Sequence, residues 1–226
     1  MTIPYKQLKE VLNEVITSKL ESAGFVYDGE HSWYTPWDNH MRKIVTASLM
    51  KGYAILSWGI VFDFLPILSE DKRAYDTSNR KINRHLYTYP QPFIDCKVPC
   101  KEHEIPQASV ASLDAVKKQT AKAFKYSKKD IFNWFSKVTT LEVALTEIER
   151  QISYGKYYNF GKPFRLYVRA FLLAATGHYD ESRKALDDYF LVAKTGSNWN
   201  KPHDDKTKAN VFAQLQQVYE TVGYGV

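Results

Sequence analysis

Hydrophobic and polar positions alternate in two different ways along this chain. Between Tyr5 and Ser22 the apolar residues Leu8, Val11, Leu12, Val15, Ile16 and Leu20 form one stripe at helical period. Gly24 supplies a stop for that helix. "FVYDGEHSWYTPW" (residues 25–37) then reads as a hairpin turning at Asp28-Gly29. A strand over about 42–50 and a tight turn from Met50 to Tyr53 lead into the most apolar run, "SLMKGYAILSWGIVFDFLPI" (residues 48–67). Within 53–64, Ala54, Leu56, Trp58, Ile60, Phe62 and Phe64 share one uniformly apolar face, predicted to pack on the first helix. Tyr53, Ile55, Ser57, Gly59, Val61 and Asp63 share the other, a mixed face expected to be at least partly open. This strand is expected to be the central spine of an antiparallel sheet.

A helix is expected near 71–86, followed by a loop rich in proline (Pro90, Pro92, Pro99, Pro106) that reads as a boundary. Beyond it the pattern is helical. Ser112 caps a helix to about Phe124, and Ser127 with Asp130 forms a capping box for a second helix to about Val138. Thr139 and Glu142 form another box, for "LEVALTEIERQI". Pro163 suits the first turn of the next helix and Gly177 its end. One more helix runs to Gly196, and the last, capped by Asp205, spans about 206–222. The fold class is α+β: a small antiparallel sheet packed by an N-terminal helix, then an all-helical C-terminal region of antiparallel helices. The expected domains are 1–108 and 109–226.

Composition adds little until charge is considered. The 226 residues are 44% hydrophobic and 25% charged, as in ordinary globular proteins, while aromatics reach 15% and suit half-buried surfaces. The charged N-terminus and the lack of a long apolar run predict no membrane partner and a cytoplasmic location. Two cysteines, Cys96 and Cys100, fit a reducing compartment. The net charge of +6 is local: residues 117–137 hold seven lysines against Asp130, so the rest of the chain is neutral in sum.

"FLLAATGHYDESRKALDDYF" resembles one tetratricopeptide-type helical hairpin, with Ser182 where alanine is usual. The leading helix, "AGFVYDGEHSWY" and the strand pair ending in "LSWGIVFDFLP" resemble the bacterial domain-of-unknown-function 4304 family and related small proteins of toxin and immunity loci. That resemblance spans about 90 residues and carries no catalytic residues across. It implies a bacterial α+β module that binds another protein.

The chemistry-bearing residues are scattered. Cys96, Cys100 and His103 have partial zinc spacing and need a fourth ligand such as His85. His31, Asp38 and His40 could form a facial triad, but nothing helical fixes their spacing, and "KPHDDK" (201–206) reads as a solvated loop. Asp63 with Asp95 and Lys97 has the outline of a metal-dependent hydrolase site without a third acid. No phosphate-binding glycine loop or nucleophile elbow is present. No metal, cofactor or enzymatic activity is expected.

Two surfaces stand out instead. Lys118, Lys122, Lys125 and Lys129 step by 4, 3 and 4, and share a face if one helix runs through them. "YGKYYNFGKPFRLYVR" (154–169) combines Tyr154, Tyr157 and Tyr158 with Arg165 and Arg169, residue types that anchor protein interfaces. The preferred reading is a non-enzymatic protein-binding module, in its sharper form a bacterial immunity protein that neutralises a toxin by occlusion. An inhibitor of a basic nuclease should be acidic, so a basic chain points to a partner with an acidic or apolar surface. The alternatives are a nucleic-acid-associated protein using the Lys117–Lys137 face, with Phe124, Tyr126 and Trp134 as stacking rings, and the metal-dependent hydrolase.

Overall fold

The computed structural model describes residues 5–29, 31–50, 53–66, 104–106, 113–153, 162–195 and 204–225. The first helical stripe folds as expected, with one local departure. α1 (Tyr5–Leu12), a π-helical turn (Asn13–Thr17) and α2 (Ser18–Glu21) follow one another without a break. Val11, Leu12, Ile16 and Leu20 are buried. Gly24 ends the run at φ +84, with Phe25 N–H reaching back to the Leu20 carbonyl, a closure that needs the left-handed conformation glycine adopts freely.

The strands β1 (Val26–Tyr27), β2 (Ser32–Tyr34), β3 (Met41–Met50), β4 (Tyr53–Phe62) and β5 (Glu104–Pro106) form one sheet in the order β1-β2-β3-β4-β5. Val26 lies opposite Tyr34, Trp33 opposite Val45, and Ala54 opposite Ile105, all in antiparallel register. The α+β class is therefore present. Consecutive residues on β2 and β3 are buried alike: Ser32 with Trp33, and Ile44 with Val45 and Thr46. Neighbours along a strand face opposite sides, so the sheet is covered on both. On the mixed face of residues 53–64, Gly59 and Val61 are buried and Asp63 is half-buried; the exposure of Tyr53, Ile55 and Ser57 lies outside what is described.

α3 spans Leu113–Phe135 as one helix, where two were expected. Its residues contain no glycine or proline, and Val116, Thr120, Ala123, Phe124, Ser127, Ile131 and Phe135 make a single buried stripe. Ser127 does not cap: its hydroxyl donates to the Ala123 carbonyl at 2.8 Å, one turn back. α3 packs on β5 and along the first helical run, and Phe25 meets Phe132 and Phe135 at 6.5 and 5.9 Å between ring centres.

α4 (Leu141–Ser153), α5 (Lys162–Ala175), α6 (Tyr179–Thr195) and α7 (Asp205–Thr221) follow, closed by a 3-10 turn at Gly223–Gly225. Thr140, not Thr139, caps α4, accepting from Val143 N–H at 3.3 Å. Asp204, not Asp205, caps α7, accepting from Thr207 N–H at 2.7 Å. α5 is buried all round from Tyr167 to Ala175 except at Arg169, as befits the central helix, and it packs against α4, α6 and α7. Gly177, at φ +85, turns α5 into α6 as a helical hairpin, with His178 N–H bonded to the Leu173 carbonyl.

The chain forms two compact units, Met1–Val61 with Tyr89–Lys137, and Phe62–Thr88 with Val138–Val226. The division expected after residue 108 differs, because α3 belongs with the sheet it packs on. No described helix is long and apolar enough to cross a membrane. The expected helix near 71–86, the turn at 51–52, the Ser112 cap and most of the proline-rich loop lie outside the described residues.

Candidate interaction surface

Because α3 is continuous, the condition on the lysine stripe is met. Lys118, Lys122, Lys125 and Lys129 all lie exposed, within an arc of about 60° at 3.6 residues per turn. That arc is opposite the buried stripe of Val116, Thr120, Ala123, Ser127 and Ile131. The eleven residue steps from first to last span about 17 Å at the helical rise. None of the four pairs with a described carboxylate. Lys117 is different: it lies about 80° outside the arc at 3.6 residues per turn, and its Nζ is 2.6 Å from Glu14 Oε2 on the π turn. That hydrogen bond raises its pKa above the ordinary lysine value. One lysine thus tethers α3 to the first helical run while four remain available to a partner.

The rings interleaved with the stripe divide in the same way. Phe124 is only 2% exposed and belongs to the core, with Lys19 Nζ 5.6 Å above its ring. Trp134 is half-buried and lies against Phe135. Tyr126 is 50% exposed, with Lys122 Nζ 5.9 Å from its ring centre.

The second surface separates. Arg165 is 7% exposed, inside the helical unit. Arg169 directs both Nε and Nη2 at Glu149 Oε1, each at 3.0 Å, tying α5 to α4. Tyr154, Tyr157 and Tyr158 lie outside the described residues. A cleft of about 270 Å³ beside Arg169 is lined by Glu181, Lys184, Ala185 and Asp188. Its two cations and two carboxylates balance, and it is smaller than an ordinary ligand pocket.

His31, Asp38 and His40 are not brought together as ligands. His31 is buried, while Asp38 and His40 are exposed on a turn. Among the described residues no group of three His, Cys, Asp or Glu could hold a metal ion. Cys96, Cys100, His103, His85, Asp95, Lys97 and His203 lie outside the described residues, and Asp63 is half-buried just after β4.

Sequence reasoning missed a third cluster. The Arg42 guanidinium lies 4.7 Å from the Tyr34 ring centre and 4.3 Å from that of Trp37. The signal in the chain is "WYTPW", whose last ring precedes Arg42 by five residues, and only the turn between them brings the two together.

No family model, no curated protein and no solved structure matches this chain.

Proposed function

We propose that this protein is a non-enzymatic binding module that docks an acidic protein surface along α3. The observation that carries the reading is the set of four exposed lysines, paired with no described carboxylate, on one uninterrupted helix face opposite the core. Such a face raises the encounter rate with an acidic partner and disfavours basic ones. The resemblance of the N-terminal half to proteins of toxin and immunity loci makes a toxin the target to test first, and occlusion of its working surface the mechanism.

The nucleic-acid reading is weaker on this face. It needs several stacking rings beside the phosphate contacts, and of the three only Tyr126 is exposed, Phe124 being in the core and Trp134 half-buried. The stripe also has no arginine, whose planar fork grips phosphate better than an ammonium does.

Affinity capture at moderate salt tests the proposal. The baits are the wild-type protein and a Lys118→Glu, Lys122→Glu, Lys125→Glu variant. A stoichiometric acidic protein held by the first and released by the second supports it. Capture of the same proteins by both baits overturns it, and nucleic acid in the wild-type eluate moves the face to the alternative reading.

A further inference from the structure

The Arg42 cluster is produced by an irregularity in the β2–β3 hairpin. Asp38 and Met41 exchange both backbone hydrogen bonds, at 2.9 and 2.8 Å, around Asn39 and His40 with φ of 45° and 64°. Two positive φ values define the tight mirror-image turn that matches strand twist. Further down, Thr35 N–H bonds to the Lys43 carbonyl at 3.0 Å, and Lys43 N–H to Thr35 Oγ1 at 3.1 Å. Between these two pairings Pro36 and Trp37 face the single residue Arg42, which is a bulge. A regular strand would send Tyr34 and Trp37 to opposite faces. The extra residue brings both rings onto Arg42, and proline is tolerated at such a point because it has no N–H to pair.

The result is a fixed cation without a counter-charge among the described residues. Nε of Arg42 is buried and has no hydrogen-bond partner, and the guanidinium makes no ion pair with a described residue. Both ring centres lie within 5 Å of the guanidinium carbon. Desolvation lowers its pKa, yet an arginine stays charged at any ordinary pH. With two rings against the guanidinium and its Nε closed off, the edge bearing the two Nη groups is what remains for a ligand. A carboxylate is planar and accepts two parallel hydrogen bonds along that edge. Trp37 is 37% exposed, so the edge of the clamp reaches solvent. Trp, Tyr and Arg are also the residue types that dominate binding energy at protein interfaces.

We infer that Tyr34, Trp37 and Arg42 form a carboxylate clamp that receives an acidic side chain of a protein partner. This site stands apart from the lysine face and does not depend on it.

The test is a side-chain NMR titration of the full chain at constant ionic strength, following the Arg42 Nε–H and Trp37 indole signals. The probes are N-acetyl-glutamate methylamide, its glutamine counterpart and inorganic phosphate. The blocked glutamate should shift both signals saturably, and the glutamine compound should not. Arg42→Lys keeps the charge and the stem but loses the fork, and should weaken the effect about tenfold or more. Trp37→Leu should weaken it while leaving Arg42 charged. The Lys118→Glu, Lys122→Glu, Lys125→Glu variant should respond as wild type does, which separates this site from the α3 reading. No saturable shift with the blocked glutamate, or a stronger response to phosphate, would overturn the inference.

Discussion

Trp33 is fully buried in β2 and donates its indole N–H to Thr17 Oγ1 at 2.9 Å, within the π-helical turn of the first helical run. A buried donor that loses its acceptor keeps the cost of leaving water and loses the compensation. Thr17→Val preserves shape and removes the acceptor, so it should cost about 1–3 kcal/mol, measured by urea unfolding. An unchanged midpoint would mean that the hydrogen bond contributes nothing. The residues around this contact were partly legible in the chain. Val11, Leu12, Ile16 and Leu20 announce themselves as core because burial repeats at the helical period. Thr17 does not, because its role depends on a tryptophan 16 residues away across a tertiary contact. The Arg42 clamp was hidden for a similar reason. Its rings converge only through a bulge, and the alternation rule places Tyr34 and Trp37 on opposite faces.

At the scale of elements, local signals identified helices well and their ends less well. Ser127 and Asp130 have the spacing of a capping box, yet they lie inside α3, where an unbroken buried stripe outweighs a local alternative worth about 1 kcal/mol. The other two caps are displaced by one residue, from Thr139 to Thr140 and from Asp205 to Asp204. In each case two adjacent residues can both cap, and packing selects between them: Val138 and Leu141 must both be buried, which fixes where α4 begins. The α7 pair offers a direct check. Asp204→Ala removes an acceptor from the Thr207 N–H and should cost about 1 kcal/mol. Asp205→Ala removes an exposed side chain in the first turn and should cost less, about 0.5 kcal/mol, through the helix dipole and a long, solvent-screened contact with Lys208. Equal losses in thermal unfolding would show that the assigned cap contributes nothing specific.

At the scale of the whole molecule, charge placement was legible and unit boundaries were not. The lysine stripe can be counted directly in the chain, whereas the proline-rich segment suggested a division at residue 108 that the units do not follow. α3 is claimed by the sheet-bearing unit through contacts with β5 and the first helical run, which composition does not record. This placement puts six lysines against Asp114 and Asp130 on one helix of that unit, +4 of the protein's net +6, and the consequence is kinetic. Exposed lysines at a rim act over roughly a Debye length of 8 Å and steer encounter, while affinity is set mainly by dissociation of buried anchors. Replacing Lys118, Lys122 and Lys125 by Gln lowers the net charge by three without introducing repulsion. It should slow association with an acidic partner severalfold at low salt, leave the dissociation rate within about twofold, and flatten the salt dependence of the association rate. Stopped-flow mixing across a salt series reads all three quantities. If dissociation accelerates instead, the lysines are buried at the interface and act as anchors rather than as a steering field. In that case the Glu and Gln variants should differ little in residence time, because the lost contact, not the added charge, would limit both.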